Sequence, residues 1–246
     1  MKKMIEEAFQ WRKIYRLGGY AAIFSFLLTL ADIIYGSATS GDITLQYTAI
    51  EAFNEINQNW LIGLYHLDLL NMINTIVMLP VYYAIYGAHK RKSGPIATLS
   101  LILAIIGTTI FLANNAALPM FQLTQQYYTS PSETQRTQIA AAGEALLARG
   151  AHGGLGVFPG FLILSLAGVS MAFVMYYGDV FPRRTGLCGV IGNTLLLVYV
   201  VLVTFIPGLQ SIAVAMAAPG GLLALAWMLL TGRVLIKNGS MNEVNQ

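Results

Sequence analysis

Residues 94–116 read GPIATLSLILAIIGTTIFLANNA, and this stretch contains no charged side chain. A transmembrane α-helix needs about 20 mostly apolar residues, so this segment is predicted to cross a membrane as a helix. The composition agrees, because 56% of the residues are hydrophobic and only 10% are charged. A soluble domain is about one quarter charged. The sequence therefore excludes an ordinary soluble protein.

Five further apolar runs of similar length lie on either side of this stretch. We therefore predict an all-α fold, an integral membrane bundle of six transmembrane helices. The predicted spans, in chain order, are residues 17–36, 60–86, 94–116, 154–177, 185–206 and 209–235. Together they form one domain, 17–235, between an N-terminal segment, 1–16, and a C-terminal tail, 236–246.

The distribution of basic residues predicts the orientation. Lys and Arg concentrate in the cytoplasmic segments of membrane proteins. With the N-terminus inside, twelve of the fourteen basic residues fall on the cytoplasmic side, and only Arg136 and Arg149 fall outside. We therefore expect a protein of the inner (plasma) membrane with both termini in the cytoplasm. The same clusters explain the net charge of +3, so we expect membrane lipids and no nucleic acid as partners.

Two predicted outer loops, about residues 37–59 and 117–153, are longer than simple turns. In the first loop, Thr48 and Glu51 have the spacing of a capping box, in which each side chain bonds the other residue's backbone N–H. Apolar residues follow at helical spacing. The pattern predicts a short helix over about 49–58.

The second outer loop has a longer helix signal. Ser130 is a cap candidate, Pro131 has the residue type of the first helical position, and Glu133 supplies the acidic residue of the first turn. An alanine-rich run follows, and Gly150 can end the helix. The fold class therefore includes two short outer loop helices.

Few polar side chains interrupt the predicted spans, and nearly all of them lie on one side. Ionisable groups inside a membrane are costly and indicate function by default. The candidates in the outer half or at its boundary are Asp32, His66, Asp68, Asn71, Asn114, Asn115 and His152. They predict an outward-facing polar pocket that binds a small or lipidic ligand, or a partner protein. A hydrogen-bond network that only fixes the order of the helices is the alternative.

Catalytic and metal chemistry have weaker signals. His66, His152 and Asp68 have the residue types of an open zinc site, so a metal-dependent intramembrane hydrolase is the second hypothesis. Two histidines can also ligate haem, but nothing around them is specific for haem. The sequence contains no HExxH, GxSxG, phosphate-loop or Cys-x-x-Cys motif. We therefore expect no metal and no cofactor, and we favour a protein without enzymatic activity.

Three glycines recur at every third position of the fifth predicted span: Gly186, Gly189 and Gly192. Small residues let helices approach closely in lipid, so these glycines predict a helix-packing face. The contact can lie inside the bundle or against another membrane protein. The second possibility makes an accessory subunit of a larger membrane complex the third hypothesis.

Two stretches resemble a known family. The first is LYHLDLLN at 64–71, running on to Met-Leu-Pro at 78–80. The second is NNAALP at 114–119, followed by Gln-Gln-Tyr at 125–127 and a helix at 138–147. With the helix spacing, they resemble uncharacterised bacterial multi-pass membrane proteins related to the domain-of-unknown-function family 4386. The resemblance covers roughly residues 15–235 and implies a prokaryotic membrane protein with no assigned activity.

Overall fold

The computed structural model describes residues 2–39, 48–151, 154–206 and 208–240. Within these ranges all regular secondary structure is α-helical, which confirms the predicted all-α class. The helices, in chain order, are α1 (Lys2–Thr39), α2 (Ala49–Gln58), α3 (Trp60–His66), α4 (Leu69–His89), α5 (Gly94–Asn114), α6 (Ala117–Thr129), α7 (Glu133–Gly150), α8 (Phe158–Tyr177), α9 (Arg183–Phe205) and α10 (Gln210–Ser240).

Six helices of the described chain are long and apolar enough to cross a membrane, and this number confirms the prediction. They are α1, α4, α5, α8, α9 and α10. Helix α1 begins at Lys2, far ahead of the predicted span, because the preceding Glu, Lys, Arg and Gln residues are good helix formers. Most of the predicted N-terminal segment is therefore the first part of the same helix.

The six spanning helices form a closed ring. Each one packs against the next spanning helix along the chain, and α10 packs against α1. Short links between neighbours are typical of an up-and-down bundle. Among the described helices, the first and the last therefore share a long interface.

One end of the ring, here called the terminal face, carries the start of α1, the α4–α5 turn, the α8–α9 link and the end of α10. Two ion pairs join these parts. Lys90 Nζ lies 2.9 Å from Glu7 Oε1, and Lys92 Nζ lies 2.5 Å from Asp179 Oδ2. The half of the ring next to this face is closely packed around Trp227, which is 2% exposed. Within lipid, helix association depends on such packing. The lipid tails are as apolar as the side chains, so the hydrophobic effect does not drive the helices together.

Four shorter helices, α2, α3, α6 and α7, cover the opposite end of the ring and are here called the cap. The cap has its own apolar core, which includes Phe53, Ile56, Leu64, Met120 and Leu147. Helices α2 and α7 are the two outer helices predicted from the sequence, and α3 and α6 pack beside them. The cap is thus a small folded unit and not a pair of isolated loop helices.

The predicted capping box is confirmed at the start of α2. Thr48 N donates to Glu51 Oε2 at 2.9 Å, and Glu51 N donates to Thr48 Oγ1 at 3.3 Å. The hydrogen bonds from the backbone and hydroxyl of Thr48 hold the pKa of the Glu51 carboxyl below its usual value. Helix α2 has the bounds that the sequence indicates.

The structure differs from the prediction at three boundaries. The predicted span 60–86 is two helices, separated by a turn at Leu67 and Asp68. The third span ends at Asn114, and the chain enters α6 of the cap. Helix α7 begins at Glu133 with Ser132 at its N-cap position, whereas Ser130 ends α6 and donates its hydroxyl to the Gln135 side chain at 2.8 Å.

Candidate functional site

A cavity of about 670 Å³ lies inside the cap-side half of the ring. Its walls come from five spanning helices, α1, α4, α8, α9 and α10, and from the short segment before α8. Small residues of α10, among them Ala217, Ala218 and Gly221, face this space. They leave room that larger side chains fill in the other half of the bundle. The cavity therefore follows from the distribution of side-chain size along α10.

Most of the cavity wall is apolar. Aromatic side chains of α8 and branched side chains of α9 make up much of it, including Phe158, Phe161, Val200 and Val203. Polar residues concentrate where α1 meets α4, at Thr29, Asp32, Asn71 and Asn74. We call these four residues the polar corner. The cavity can thus accept an apolar body and pair one polar group.

Asn74 fixes the polar corner by joining α4 to α1. Its Oδ1 accepts a hydrogen bond from Ser25 Oγ at 2.6 Å, and its Nδ2 donates to Thr29 Oγ1 at 3.4 Å. The backbone of Asp32 is held as well, because its carbonyl oxygen accepts from Tyr65 Oη at 3.2 Å. Burial raises the pKa of the Tyr65 hydroxyl, and the nearby Asp32 raises it further, so Tyr65 stays a donor.

Asp68 stands directly behind the polar corner. Its backbone is left-handed, with φ of 67°, and the residue is 8% exposed. A left-handed residue costs about 1–2 kcal/mol, and aspartate tolerates it better than most residues. Asp68 Oδ1 accepts a hydrogen bond from Asn71 Nδ2 at 2.9 Å. The break between α3 and α4 therefore sets the direction of the Asn71 amide.

Three of the predicted site residues make polar contacts that stabilise the cap, and they do not line the described part of the cavity wall. His66 Nδ1 lies 2.8 Å from Glu55 Oε1. Asn114 Oδ1 accepts from Arg149 Nε at 2.7 Å. Asn115, 4% exposed, donates to the Leu67 carbonyl oxygen at 3.1 Å and accepts from Ala117 N at 2.8 Å.

The seven candidates thus fall into separate groups. Asp32 and Asn71 line the cavity, and Asp68 accepts a hydrogen bond from Asn71. The other three described candidates, His66, Asn114 and Asn115, make their contacts in the cap. His152 lies outside the described residues. Among the residues that are described, no group of three or more His, Cys, Asp or Glu side chains is placed to hold a metal ion. The zinc hypothesis, which needs His152, stays a prediction.

Polar residues beyond the seven candidates also line the cavity. Asn74 falls deeper than the other candidates along the predicted second span, yet it lines the cavity. Its spacing of three residues from Asn71 places both on one face of α4, and that spacing was the available signal. Ser165, Tyr199 and Thr204 also line the cavity, and single polar residues in apolar helices carry little signal of their own.

A scan of family models matches residues 24–232 to the family described as Domain of unknown function (DUF4386). The chain belongs to the DUF4386 family. The resemblance seen in the sequence is thereby confirmed. No curated protein and no solved structure matches the chain. All described residues of the cavity wall, from Thr29 to Met228, lie within the DUF4386 region.

The predicted helix-packing glycines of this DUF4386 protein contact helices of the same chain. A Cβ added at Gly186 would lie 2.5 Å from Tyr176 Cα in α8, and one added at Gly189 would lie 2.7 Å from Ala172 Cβ. A Cβ added at Gly192 would lie 2.9 Å from Ala224 N in α10. All three glycines are buried, so they bring α9 close to both of its neighbours in the ring.

Proposed function

We propose that this DUF4386 protein binds an amphiphilic, lipid-like small molecule in the cavity of its cap-side half. The observation that carries the proposal is the shape of the site: about 670 Å³, with apolar walls from α8 to α10 and one polar corner between α1 and α4. Ligand sites in proteins have volumes of about 300–1,000 Å³, mostly apolar walls and a few polar groups that fix orientation.

The polar corner indicates which head group the ligand carries. Asp32 offers a carboxyl group, and Asn71 and Asn74 offer side-chain amides. The described lining contains no Lys, Arg or His, so an anionic head group would lie there without a counter-charge. A neutral head rich in hydroxyl groups, or a cationic one, therefore fits better than a carboxylate or phosphate head. The apolar walls accept the hydrocarbon part without leaving a polar group unpaired.

The side of the cavity between α1 and α10 suggests a route of entry from the bilayer. Ile33 and Leu222 line the cavity and are also 40% and 66% exposed. Gly221 precedes Leu222 in α10, and the nearest described atom to a Cβ added at Gly221 is Ile33 Cδ1, at 4.0 Å. A hydrophobic molecule can thus pass sideways from lipid to cavity without crossing the cap.

Filling the cavity is the direct test. Val200 lines the cavity, whereas the next residue, Val201, is 37% exposed on the outside of α9. We expect monolaurin to raise the unfolding temperature of the wild type and of Val201→Trp in phosphatidylcholine nanodiscs, but not that of Val200→Trp. A ligand at one hundred times its Kd stabilises by about 2.7 kcal/mol, which corresponds to roughly 5–10 °C for a chain of this size.

Laurate, with the same chain and an anionic head, serves as the ligand control. It is expected to give a much smaller shift than monolaurin. Equal shifts in the two tryptophan variants would count against the cavity, and a stronger effect of laurate would count against the assignment of the head group.

We also propose that the terminal face lies on the cytoplasmic side of the plasma membrane and that the cap-side half of the ring, with its cavity, faces outward. The support is the placement of twelve of the fourteen basic residues on the terminal side. In a Cys188→Ala background, a membrane-impermeant maleimide is expected to label Thr134→Cys of the cap in intact cells. Arg184→Cys, in the α8–α9 link, is expected to react only after permeabilisation. The reverse pattern would overturn this orientation.

A further inference from the structure

The most exposed large apolar side chains of the cap lie on α3 and α6. Trp60 and Leu61 begin α3, Leu118 lies in the first turn of α6, and each of the three is more than half exposed. The ring centres of Trp60 and Phe121 lie 6.4 Å apart. Phe121 follows Leu118 by three residues, so both lie on one face of α6. These four residues form one patch, here called the apolar edge.

The charged side chains of the cap belong to its other two helices. Neither α3 nor α6 contains Asp, Glu, Lys or Arg. Helix α7, every residue of which is described, exposes no large apolar side chain to a comparable degree. The four cap helices thus divide into an uncharged pair and a charged pair. The charged residues are Glu51 and Glu55 of α2 and Glu133, Arg136, Glu144 and Arg149 of α7.

The apolar edge continues the lipid-facing surface of the ring. Helices α5 and α6 lie within one apolar segment, Gly94–Thr129, of 36 residues. About 20 residues suffice to cross a membrane, and α5 alone supplies 21. The exposed side of α5 runs through Ile102 and Ile106 to Ala113, and Leu118 follows after the two-residue link to α6. Helix α6 is therefore apolar although it is not needed for the crossing.

The length of α4 places α3 at the depth of the lipid. The rings of Trp11 and Tyr83, 5.4 Å apart, mark the head-group level near the terminal face, because Trp and Tyr collect there. From Tyr83 to Leu69 α4 rises about 21 Å, whereas the hydrocarbon core is about 30 Å thick. About 9 Å of the core remains beyond Leu69, and a tilt of α4 leaves more. Helix α3, with seven residues, is only about 10 Å long.

We propose that the apolar edge of the cap is inserted into the cap-side leaflet, where it contacts lipid acyl chains, while α2 and α7 face water. Helices at a membrane surface bury their apolar side by about 5–10 Å at the boundary between head groups and acyl chains. The cap is thus anchored to the bilayer as well as to the ring. This proposal depends neither on a ligand in the cavity nor on which side of the membrane the cap faces.

The test measures which solvent surrounds each part of the cap. In a Cys188→Ala background, Leu61→Cys and Leu118→Cys place a single thiol on the apolar edge. Ala141→Cys, at an exposed position of α7, is the matched control. Each thiol is labelled with the fluorophore NBD in phosphatidylcholine nanodiscs. Quenching by iodide in the water is then compared with quenching by phosphatidylcholine that carries bromine on its acyl chains.

Brominated lipid is expected to quench the labels at positions 61 and 118 several-fold more than iodide does, and the label at position 141 is expected to show the reverse. Comparable iodide quenching at all three positions would overturn the proposal, because the apolar edge would then face water. Protection of positions 61 and 118 from both quenchers would also overturn it, because protein, such as a second copy of this chain, would then cover the edge.

Trp60 allows the same measurement without a label. The intrinsic fluorescence of the wild type minus that of Trp60→Phe isolates the emission of Trp60. Phenylalanine keeps an aromatic ring beside Phe121, so this variant is expected to fold. The difference signal is expected to fall several-fold with brominated lipid, and a difference signal that only iodide reduces would contradict the proposal.

Discussion

Gly186→Ala is expected to destabilise the bundle, whereas Gly221→Ala is expected to stabilise it. Both glycines lie inside spanning helices, so both substitutions gain helix propensity, at about 0.4–1 kcal/mol. At position 186 the new Cβ would lie 2.5 Å from both Cα and N of Tyr176. Those are backbone atoms near the end of α8, so relieving the contact requires the main chain there to shift. Overpacking of this kind costs about 1–3 kcal/mol or more.

Thermal unfolding of the two variants in the same nanodiscs measures this difference. Opposite signs are expected, with Gly186→Ala several degrees below the wild type and Gly221→Ala slightly above it. The result also bears on the hypothesis of an accessory subunit. A Gly186→Ala protein that is fully stable but loses an associated membrane protein would show that this glycine face serves an external partner.

Asn115→Leu is expected to loosen the cap and to lower the free energy of unfolding by about 2–6 kcal/mol. It leaves two buried backbone groups unpaired, and each costs about 1–3 kcal/mol. The Asn115 side chain is the partner of the Leu67 carbonyl oxygen and of Ala117 N. The first group becomes available because the helix breaks at Asp68, and the second lies at the start of α6. Leucine fills a similar volume but satisfies neither group.

Asn114→Leu is the matched control. Asn114 is half-buried and bonds Arg149, which is exposed, so water can replace much of what is lost. Trypsin cleavage after Arg136 and Arg149 of the cap reports local opening, and cleavage is expected to be much faster in Asn115→Leu than in Asn114→Leu. Equal cleavage rates in the two variants would argue that Asn115 is not the link between the cap and the α3–α4 break.

The spanning helices and α2 could be predicted because their signals are local. A run of about 20 apolar residues has few alternatives to a transmembrane helix, and a capping box followed by helical periodicity specifies where a short helix begins. Both signals depend only on residues within the element itself. The predicted bounds of α2, residues 49–58, are therefore those of the structure.

The break between α3 and α4 could not be read from its own residues. The stretch LYHLDLLN contains neither glycine nor proline, and its apolar residues continue a helical pattern. What stabilises the break is Asn115, 48 residues away along the chain. A turn maintained by a distant side chain leaves almost no local signal, and the same is true of α6, which follows α5 after two residues.

The cavity lies in the cap-side half of the ring and includes two of the seven predicted residues, but most of its lining was not among them. Asp32 and Asn71 were recognisable as polar residues out of place in lipid. Asn114 and Asn115 looked the same in the sequence, yet they face the cap, since polarity alone does not distinguish a pocket wall from a helix junction. The apolar walls from α8 to α10 had no distinguishing signal, because apolar residues there fit lipid contact equally well.

The contact between α1 and α10 has a consequence for the order of assembly. In the order of synthesis α10 follows the other five helices of the ring, so its contact with α1 can form only after those helices have been made. Until then α1 is held by α4, and the hydrogen bonds of Asn74 with Ser25 and Thr29 contribute to that contact. The polar corner can therefore form before α10 is made, and the cavity gains the wall that α10 supplies only afterwards.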